Sequence, residues 1–295
     1  MQKFVGTGVA LITPFAEDGT VDFDTLDRLV NFQIENGVEY IVALGTTAEA
    51  VTLTADELQA VRERIVKVNA GRVPLMIGMG GNNTALLVEK LKTTDLSGFD
   101  AVLSVSPYYN KPSQEGIYQH YKAVADASPL PVMLYNVPGR TAVNVMPETV
   151  FRLAEHENIF GLKEAAGDME QAKQLIQGTP DDFIVVSGDD IIALPMTLEG
   201  GAGVISVLGQ ALPAELSEMV RLGLKGEAEA GYVIHNQITE AIDYIFEEGN
   251  PVGIKSMLAE LGYGNGSVRL PLVKATASLR QKIAGFVKDF ATVNN

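Results

Sequence analysis

Eight short apolar segments recur along this chain, and segments with helical spacing separate them. The apolar runs lie at residues 8–14, 40–44, 74–79, 101–105, 131–135, 159–163, 183–187 and 203–207. Nearly all are apolar throughout rather than alternating, which is typical of parallel strands covered by helices on both faces. Helical patterns at 24–36, 54–69 and 114–127 lie between them, and Thr54 and Glu57 have the spacing of a capping box. The pattern predicts repeated βα units.

The number of βα units distinguishes two α/β architectures. Eight units within residues 1–226 match a closed (β/α)8 TIM barrel better than an open, doubly wound sheet, which stays as the alternative. Residues 227–295 have helical patterns at 227–246, 252–261 and 272–291. We therefore expect a barrel at residues 1–226 that carries the active site, and a C-terminal helical extension at residues 227–295.

Composition excludes several classes of function. The 295 residues include no cysteine, which excludes disulfides, thiolate nucleophiles, iron–sulfur clusters and thiolate zinc sites. A net charge of −15 repels phosphate backbones and anionic lipids, so nucleic-acid and membrane partners are disfavoured. The apolar runs are too short to cross a bilayer as a helix, and the N-terminal residues lack the pattern of a secretory signal. We expect a cytoplasmic protein.

Lys163 has an unusual position, because it ends an apolar run that should be covered on both faces. Period-two alternation puts it on the same face as Gly161 and Ile159, with Leu162 and Glu164 on the other. Barrel enzymes place their reactive groups at the carboxyl ends of strands. Burial favours the neutral form of a lysine amine, which attacks a carbonyl carbon to form a Schiff base. The alternative, a surface lysine near a strand end, is disfavoured by the apolar run.

The end of the fifth run carries a second set of polar groups. Pro138 and Gly139 fit the central positions of a type II turn, which would direct Arg140 back over the strand end. A guanidinium there could bind a carboxylate through paired hydrogen bonds. Tyr135 could relay a proton, although a tyrosine at a strand end is often only a packing residue.

Two further loops have unusual composition. The turn Gly45-Thr46-Thr47 could bind an oxyanion through its hydroxyl and backbone N–H groups, although alone it is a weak signal. Tyr108 and Tyr109 are adjacent aromatic residues on a loop, so they must either pack locally or contact a partner.

The sequence offers little support for a metal site. His120, His156 and His235 have no metal-ligand spacing, and we interpret each as a surface or structural residue. Asp189 and Asp190 could bind magnesium, but helix capping is the commoner role for such a pair.

Together these segments resemble the 4-hydroxy-tetrahydrodipicolinate synthase family, also called dihydrodipicolinate synthases, within the pyruvate-dependent class I aldolases of the N-acetylneuraminate lyase superfamily. The resemblance spans nearly the whole chain. The shared motifs, in order, are Gly45-Thr46-Thr47, Ser106-Pro107-Tyr108-Tyr109-Asn110-Lys111-Pro112, Tyr135-Asn136-Val137-Pro138-Gly139-Arg140-Thr141, Gly161-Leu162-Lys163-Glu164 and Gly203-Val204-Ile205-Ser206.

The resemblance implies a lyase of lysine and diaminopimelate biosynthesis that condenses pyruvate with aspartate 4-semialdehyde. Lys163 would form the Schiff base with pyruvate, and Tyr135 would donate and accept protons beside it. Thr47 and Tyr109 would complete a hydroxyl relay with Tyr135. In the family the tyrosine that matches Tyr109 enters the neighbouring subunit's site, within a homotetramer built as a dimer of dimers. No cofactor or metal is implied, because the protonated imine is itself the electron sink.

The resemblance also implies substrate-binding residues. Thr46 and Thr47 would hold the pyruvate carboxylate with help from the Ile205 backbone. Arg140 would bind the carboxylate of aspartate 4-semialdehyde.

Departures from the family pattern lead to further expectations. Ala48 stands where glycine is usual, so the backbone of that turn is expected to differ slightly. Gly253 replaces the second proline of an Asn-Pro-x-Pro-x-Lys segment, for which we expect a local loop change. Asn82 and Tyr108 fit the allosteric pattern of lysine-inhibited members, but Leu86 offers no carboxylate for the ammonium group of lysine. Feedback inhibition is therefore expected to be weak or absent.

Three alternatives remain open from the sequence. The first is a sister enzyme, an N-acetylneuraminate lyase or a keto-sugar-acid aldolase. The second is a non-catalytic sensor that binds pyruvate. The third is a metal-dependent barrel that uses Asp189, Asp190 and Glu164.

Overall fold

A closed parallel barrel forms the centre of the computed structural model, which describes residues 2–293. Its eight strands follow one another around the barrel in sequence order. They are β1 (Gly6–Ala10), β2 (Tyr40–Ala43), β3 (Leu75–Gly78), β4 (Ala101–Val105), β5 (Val132–Asn136), β6 (Ile159–Glu164), β7 (Ile184–Ser187) and β8 (Gly203–Ser206). Because β8 pairs with β1, the sheet has no free edge. The predicted (β/α)8 barrel is confirmed.

Helices cover the barrel and continue beyond it. They are α1 (Phe23–Glu35), α2 (Ala55–Asn69), α3 (Thr84–Thr93), α4 (Gln114–Ala127), α5 (Pro138–Thr141), α6 (Pro147–Ala154), α7 (Met169–Gly178), α8 (Ala193–Leu198), α9 (Pro213–Leu224), α10 (Ala228–Glu247), α11 (Val252–Glu260) and α12 (Ala277–Val293). Thr54 and Glu57 form the predicted capping box at α2, and Asp22, Asn83 and Ser113 accept hydrogen bonds from the first turns of α1, α3 and α4. Across residues 2–293, no helix has both the length and the apolar content needed to cross a membrane.

Apolar side chains pack in two layers, inside and outside the strands. The inner layer comes from most of the strands and includes Tyr40, Met76, Leu103, Met133, Val186 and Ile205. Phe4 and Phe160 close the amino end of the barrel with their ring centroids 5.4 Å apart. Because this end is filled, polar groups can converge only at the carboxyl ends of the strands.

The predicted alternation along β6 is wrong at one position. Consecutive residues of β5 pair with Ile159 and Gly161, so that Phe160 is bulged out of the ladder. Ile159 packs in the outer layer against helices, and Phe160 packs in the inner layer. Since a bulge resets the alternation, Lys163 shares the inner face with Phe160 rather than with Ile159.

The last three helices lie close to the predicted ranges, with one difference. The third begins at Ala277 rather than at Leu272. Thr276 sets this start, because its hydroxyl accepts a hydrogen bond from Leu279 N–H (3.3 Å) in the first turn. The carboxylate of Glu248, which follows α10, accepts hydrogen bonds from the backbone N–H (2.9 Å) and the hydroxyl (2.5 Å) of Thr276.

His120 is a buried structural residue that makes stability depend on pH. It is 4% exposed on α4, and its Nδ1 lies 2.8 Å from the hydroxyl of Thr84 on α3. Burial lowers the pKa of His120 to about 4, below the value of about 6.5 in an unfolded chain. Between these values the unfolded chain binds more protons, so the free energy of unfolding falls as pH falls, by up to about 3 kcal/mol.

The variant His120→Gln keeps a hydrogen-bonding group near Thr84 and removes the titration. We expect urea unfolding to show a smaller loss of stability for this variant than for the wild type between about pH 7 and about pH 4.5. Equal losses in the two proteins would contradict the prediction.

Candidate active site

Lys163 lies at the carboxyl end of β6 and points into the barrel. It is 4% exposed, and its Nζ lies 4.4 Å from the ring centroid of Tyr135. The strand register pairs Tyr135 of β5 directly with Lys163. Gly188, which follows β7, leaves space for the lysine, because a Cβ there would lie 2.8 Å from Lys163 Cε. The structure therefore gives Lys163 the inward orientation that burial of its amine requires.

Arg140 reaches the same end of the barrel from a helix rather than from a turn. The predicted type II turn is wrong, because Pro138–Thr141 forms the short helix α5. A proline suits the first position of a helix, where its fixed φ is compatible and no N–H is needed. Arg140 is exposed, and its Nη2 donates a hydrogen bond to the backbone oxygen of Asn250 (3.0 Å).

The two threonines lie in the 3₁₀ turn Thr46–Ala48 after β2. Thr47 is 2% exposed, whereas Thr46 is exposed. The left-handed backbone of this turn falls on Glu49 (φ 52°) rather than on Ala48. The alanine that replaces the usual glycine is therefore accommodated without strain.

Asn250 joins two of the predicted binding groups, although the sequence placed it only in the Asn-Pro-x-Pro-x-Lys segment and gave it no role in the site. Its Nδ2 donates to the Thr47 hydroxyl (2.9 Å), and its backbone oxygen accepts from Arg140. It lies between α10 and α11, in the part of the chain predicted only as helical. Three residues further on, a Cβ at Gly253 would lie 2.4 Å from the backbone oxygen of Ile245, so a second proline has no room there.

A buried ion pair anchors the turn that carries Thr47. Lys255 donates hydrogen bonds to Glu49 and to the backbone oxygen of Ser267 (3.0 Å), and Glu49 also accepts from the backbone N–H of Arg269 (2.9 Å). The Lys255 Nζ lies 4.0 Å from the ring centroid of Phe15. Burial lowers the pKa of Lys255 to about 8, against the opposing effect of Glu49. The feature of the sequence that could have indicated this ion pair is Glu49 itself, an acidic residue directly after the threonine turn.

Glu164 centres a buried polar cluster on the outer face of β6. Asn136 Nδ2 donates to both carboxylate oxygens (3.1 and 3.0 Å), Gln171 Nε2 donates at 3.1 Å and the Ala166 N–H at 2.7 Å. Asn144 closes the ring through bonds of 2.7 Å with Asn136 and with Gln171. The side chains of Glu164, Asn136, Asn144 and Gln171 are called the Glu164 cluster below. Burial raises the pKa of the Glu164 carboxyl, and the hydrogen bonds from Asn136, Ala166 and Gln171 oppose that rise.

The remaining predicted residues range from fully buried to almost fully exposed. Ile205 is fully buried on β8, in the inner layer. Tyr109 is 88% exposed and has a left-handed backbone (φ 72°), so this chain does not bury it with Lys163. The two allosteric candidates are in contact, since Asn82 Nδ2 donates to the backbone oxygen of Tyr108 (3.1 Å). Leu86 is 52% exposed.

The acidic residues of the metal-site alternative have separate structural roles. Asp190 is buried and accepts from the Ser206 hydroxyl (2.5 Å) and from the N–H groups of Val207 (3.1 Å) and Leu208 (3.0 Å). Asp189 accepts from a nearby N–H (3.2 Å), and burial raises the pKa of both carboxyls. Over residues 2–293, no group of three or more His, Cys, Asp or Glu side chains is arranged to hold a metal ion. The predicted helix capping is wrong, because α8 begins after Ile192 without a side-chain cap, and Asp190 instead holds the turn after β8.

Comparisons with known proteins agree with this geometry. The dihydrodipicolinate synthetase family matches residues 3–290. A 4-hydroxy-tetrahydrodipicolinate synthase of Flavobacterium psychrophilum is 58% identical over 292 residues, which cover 99% of this chain and 100% of that protein. The dihydrodipicolinate synthase of Acinetobacter baumannii, solved in complex with pyruvate, superimposes with a TM-score of 0.94 at 41% identity, covering 97% of this chain and 98% of that one. That of Thermotoga maritima gives a TM-score of 0.94 at 37% identity with the same coverage. The chain therefore belongs to the dihydrodipicolinate synthetase family.

Proposed function

We propose that this protein condenses pyruvate with aspartate 4-semialdehyde to give 4-hydroxy-tetrahydrodipicolinate, as a lyase of lysine and diaminopimelate biosynthesis. The observation that carries the proposal is the buried amine of Lys163 at the carboxyl end of β6, 4.4 Å from the Tyr135 ring centroid. A buried amine beside a phenol is the arrangement that imine chemistry on a keto acid requires. Family membership and the close relatives support the same reaction.

The reaction begins with the attack of Lys163 Nζ on the keto carbon of pyruvate. Water leaves, and a protonated imine forms. Loss of a methyl proton gives an enamine, because the imine nitrogen accepts the electron pair. Tyr135 is the nearest phenol and would exchange protons with these intermediates, in a relay with Thr47 and Tyr109. No metal or organic cofactor enters these steps.

The second half of the reaction forms the carbon–carbon bond. The enamine carbon attacks the aldehyde carbon of the semialdehyde, and the new oxyanion takes up a proton. The amino group of the semialdehyde then attacks the former keto carbon, so that the ring closes and Lys163 is released. In this scheme Thr46, Thr47 and Ile205 hold the pyruvate carboxylate, and Arg140 holds that of the semialdehyde.

The exposure of Tyr109 supports an assembly of several copies of the chain. An aromatic side chain that is 88% exposed on a loop has no partner within its own chain that covers it. In the proposed homotetramer, a dimer of dimers, Tyr109 would complete the relay in the site of a neighbouring subunit. We also propose a cytoplasmic location.

Borohydride reduction in the presence of pyruvate tests the imine. We expect mass spectrometry of the peptides to find a carboxyethyl group on Lys163 and none in a sample without pyruvate. Lys255, which is also buried and has a pKa lowered to about 8, is an internal control that should stay unmodified. Modification elsewhere, or none, contradicts the mechanism.

The second substrate is tested separately. We expect product formation from pyruvate and aspartate 4-semialdehyde, and no cleavage of N-acetylneuraminate or keto-sugar acids. Trapping of pyruvate without turnover of any second substrate would instead indicate a sensor.

A further inference from the structure

The Glu164 cluster lies directly behind the two candidate catalytic side chains. The β5–β6 register pairs Tyr135 with Lys163 and then, one residue further, Asn136 with Glu164. Neighbouring residues of a strand point to opposite faces. The inner pair therefore carries the reactive groups, and the outer pair carries a hydrogen bond between the same two strands.

The cluster is built to hold a carboxylate in one position. Each hydrogen bond that the described residues make to Glu164 comes from an N–H group, and a protonated carboxyl would lack an acceptor for its own proton. The amide of Asn136 has one orientation, because its Oδ1 accepts from the Val145 N–H (3.0 Å). Both Asn136 and Glu164 are fully buried. A change of donor or acceptor at Asn136 or Glu164 therefore cannot be relieved by water.

We propose that Glu164 is a positioning residue, which fixes Lys163 against Tyr135 by clamping the carboxyl ends of β5 and β6 through the Glu164 cluster. It does not touch the substrate. Its effect is on proton transfer between the pyruvate methyl group and Tyr135, a step that is sensitive to small displacements of the two side chains. This inference rests on the proposed imine chemistry.

The test uses pyruvate alone. An enzyme that forms the imine and the enamine exchanges the methyl protons of pyruvate with D2O, and proton NMR measures the rate. Glu164→Gln places an NH2 group against the donors of Asn136 or Gln171. We expect the exchange rate to fall by about 10- to 100-fold, while the fraction of Lys163 trapped by borohydride at saturating pyruvate changes by less than about twofold.

Two further variants separate positioning from stability. Glu39→Gln is the matched control, because Glu39 at the amino end of the barrel accepts from the Thr7 N–H (2.7 Å) and from Arg221 (2.9 Å), far from Lys163. We expect it to lower the thermal midpoint and leave exchange unchanged. Gln171→Leu keeps Glu164 and removes one donor, so exchange should fall by about 3- to 10-fold. This variant carries the test if Glu164→Gln does not fold.

Wild-type exchange rates in both cluster variants would overturn the proposal. So would equal slowing in Glu39→Gln, because slowing would then follow lost stability. A failure of the proposed function would give a different result. The wild type would then exchange the methyl protons of pyruvate but form no product from aspartate 4-semialdehyde.

Discussion

Lys163→Met is expected to abolish imine formation and to lower kcat by about 10⁴-fold or more. Methionine has a similar length and shape, so it fits between Tyr135 and Gly188, but it has no amine. The measurements are the rate of product formation from both substrates and borohydride trapping of labelled pyruvate. The thermal midpoint should stay within a few degrees of the wild type, because methionine fills the same space and, within residues 2–293, no carboxylate is paired with Lys163 as Glu49 is with Lys255.

Lys163→Arg is the matched control for charge. Arginine keeps the positive charge, but its guanidinium stays protonated and does not form an imine. We expect a loss of activity as large as that of the methionine variant. If the arginine variant retained turnover within about tenfold of the wild type, positive charge rather than covalent catalysis would explain the role of Lys163.

The sequence predicted the barrel well because each βα unit is encoded locally. Apolar runs flanked by helical periodicity specify strand and helix from neighbouring residues, and Thr54 with Glu57 marks the start of α2. The failures were confined to two short segments. The bulge at Phe160 depends on the pairing of β5 with β6, and α5 replaces a turn because Pro138 is compatible with either structure.

The candidate site was predictable only where its residues end strands. Lys163, Tyr135 and the threonine turn follow this rule. Asn250 and Lys255 do not, because their contacts with Thr47 and Glu49 span 203 and 206 positions of the chain. No periodicity encodes such contacts. The Glu164 cluster was missed for another reason, since a glutamate on the outer face of a strand normally reaches water, and only the packing of α7 and residue 144 buries this one.

Lys255→Met is expected to lower the free energy of unfolding by about 3–5 kcal/mol. The side chains of Lys255 and Glu49 are 1% and 3% exposed, so the variant leaves a buried carboxylate without its cation. Urea unfolding at neutral pH measures the loss. Lys122→Met is the control, because Lys122 and Asp126 form an exposed pair on α4, with side chains 46% and 53% exposed, and its loss should be much smaller. Similar losses in the two variants would contradict the prediction.

The double variant Glu49→Gln/Lys255→Met should recover most of that stability. Burial lowers the pKa of Lys255 to about 8, compared with about 10.4 in an unfolded chain, so the folded state disfavours the charged amine despite its partner. Between these pH values the unfolded chain binds more protons, and the free energy of unfolding rises with pH through this lysine. Both Lys255→Met and the double variant should lose that rise. The double variant leaves neither charge alone in the interior, so it should approach wild-type stability, whereas Lys255→Met should not. If the double variant were as unstable as Lys255→Met, the loss of stability would come from packing and not from the unpaired charge.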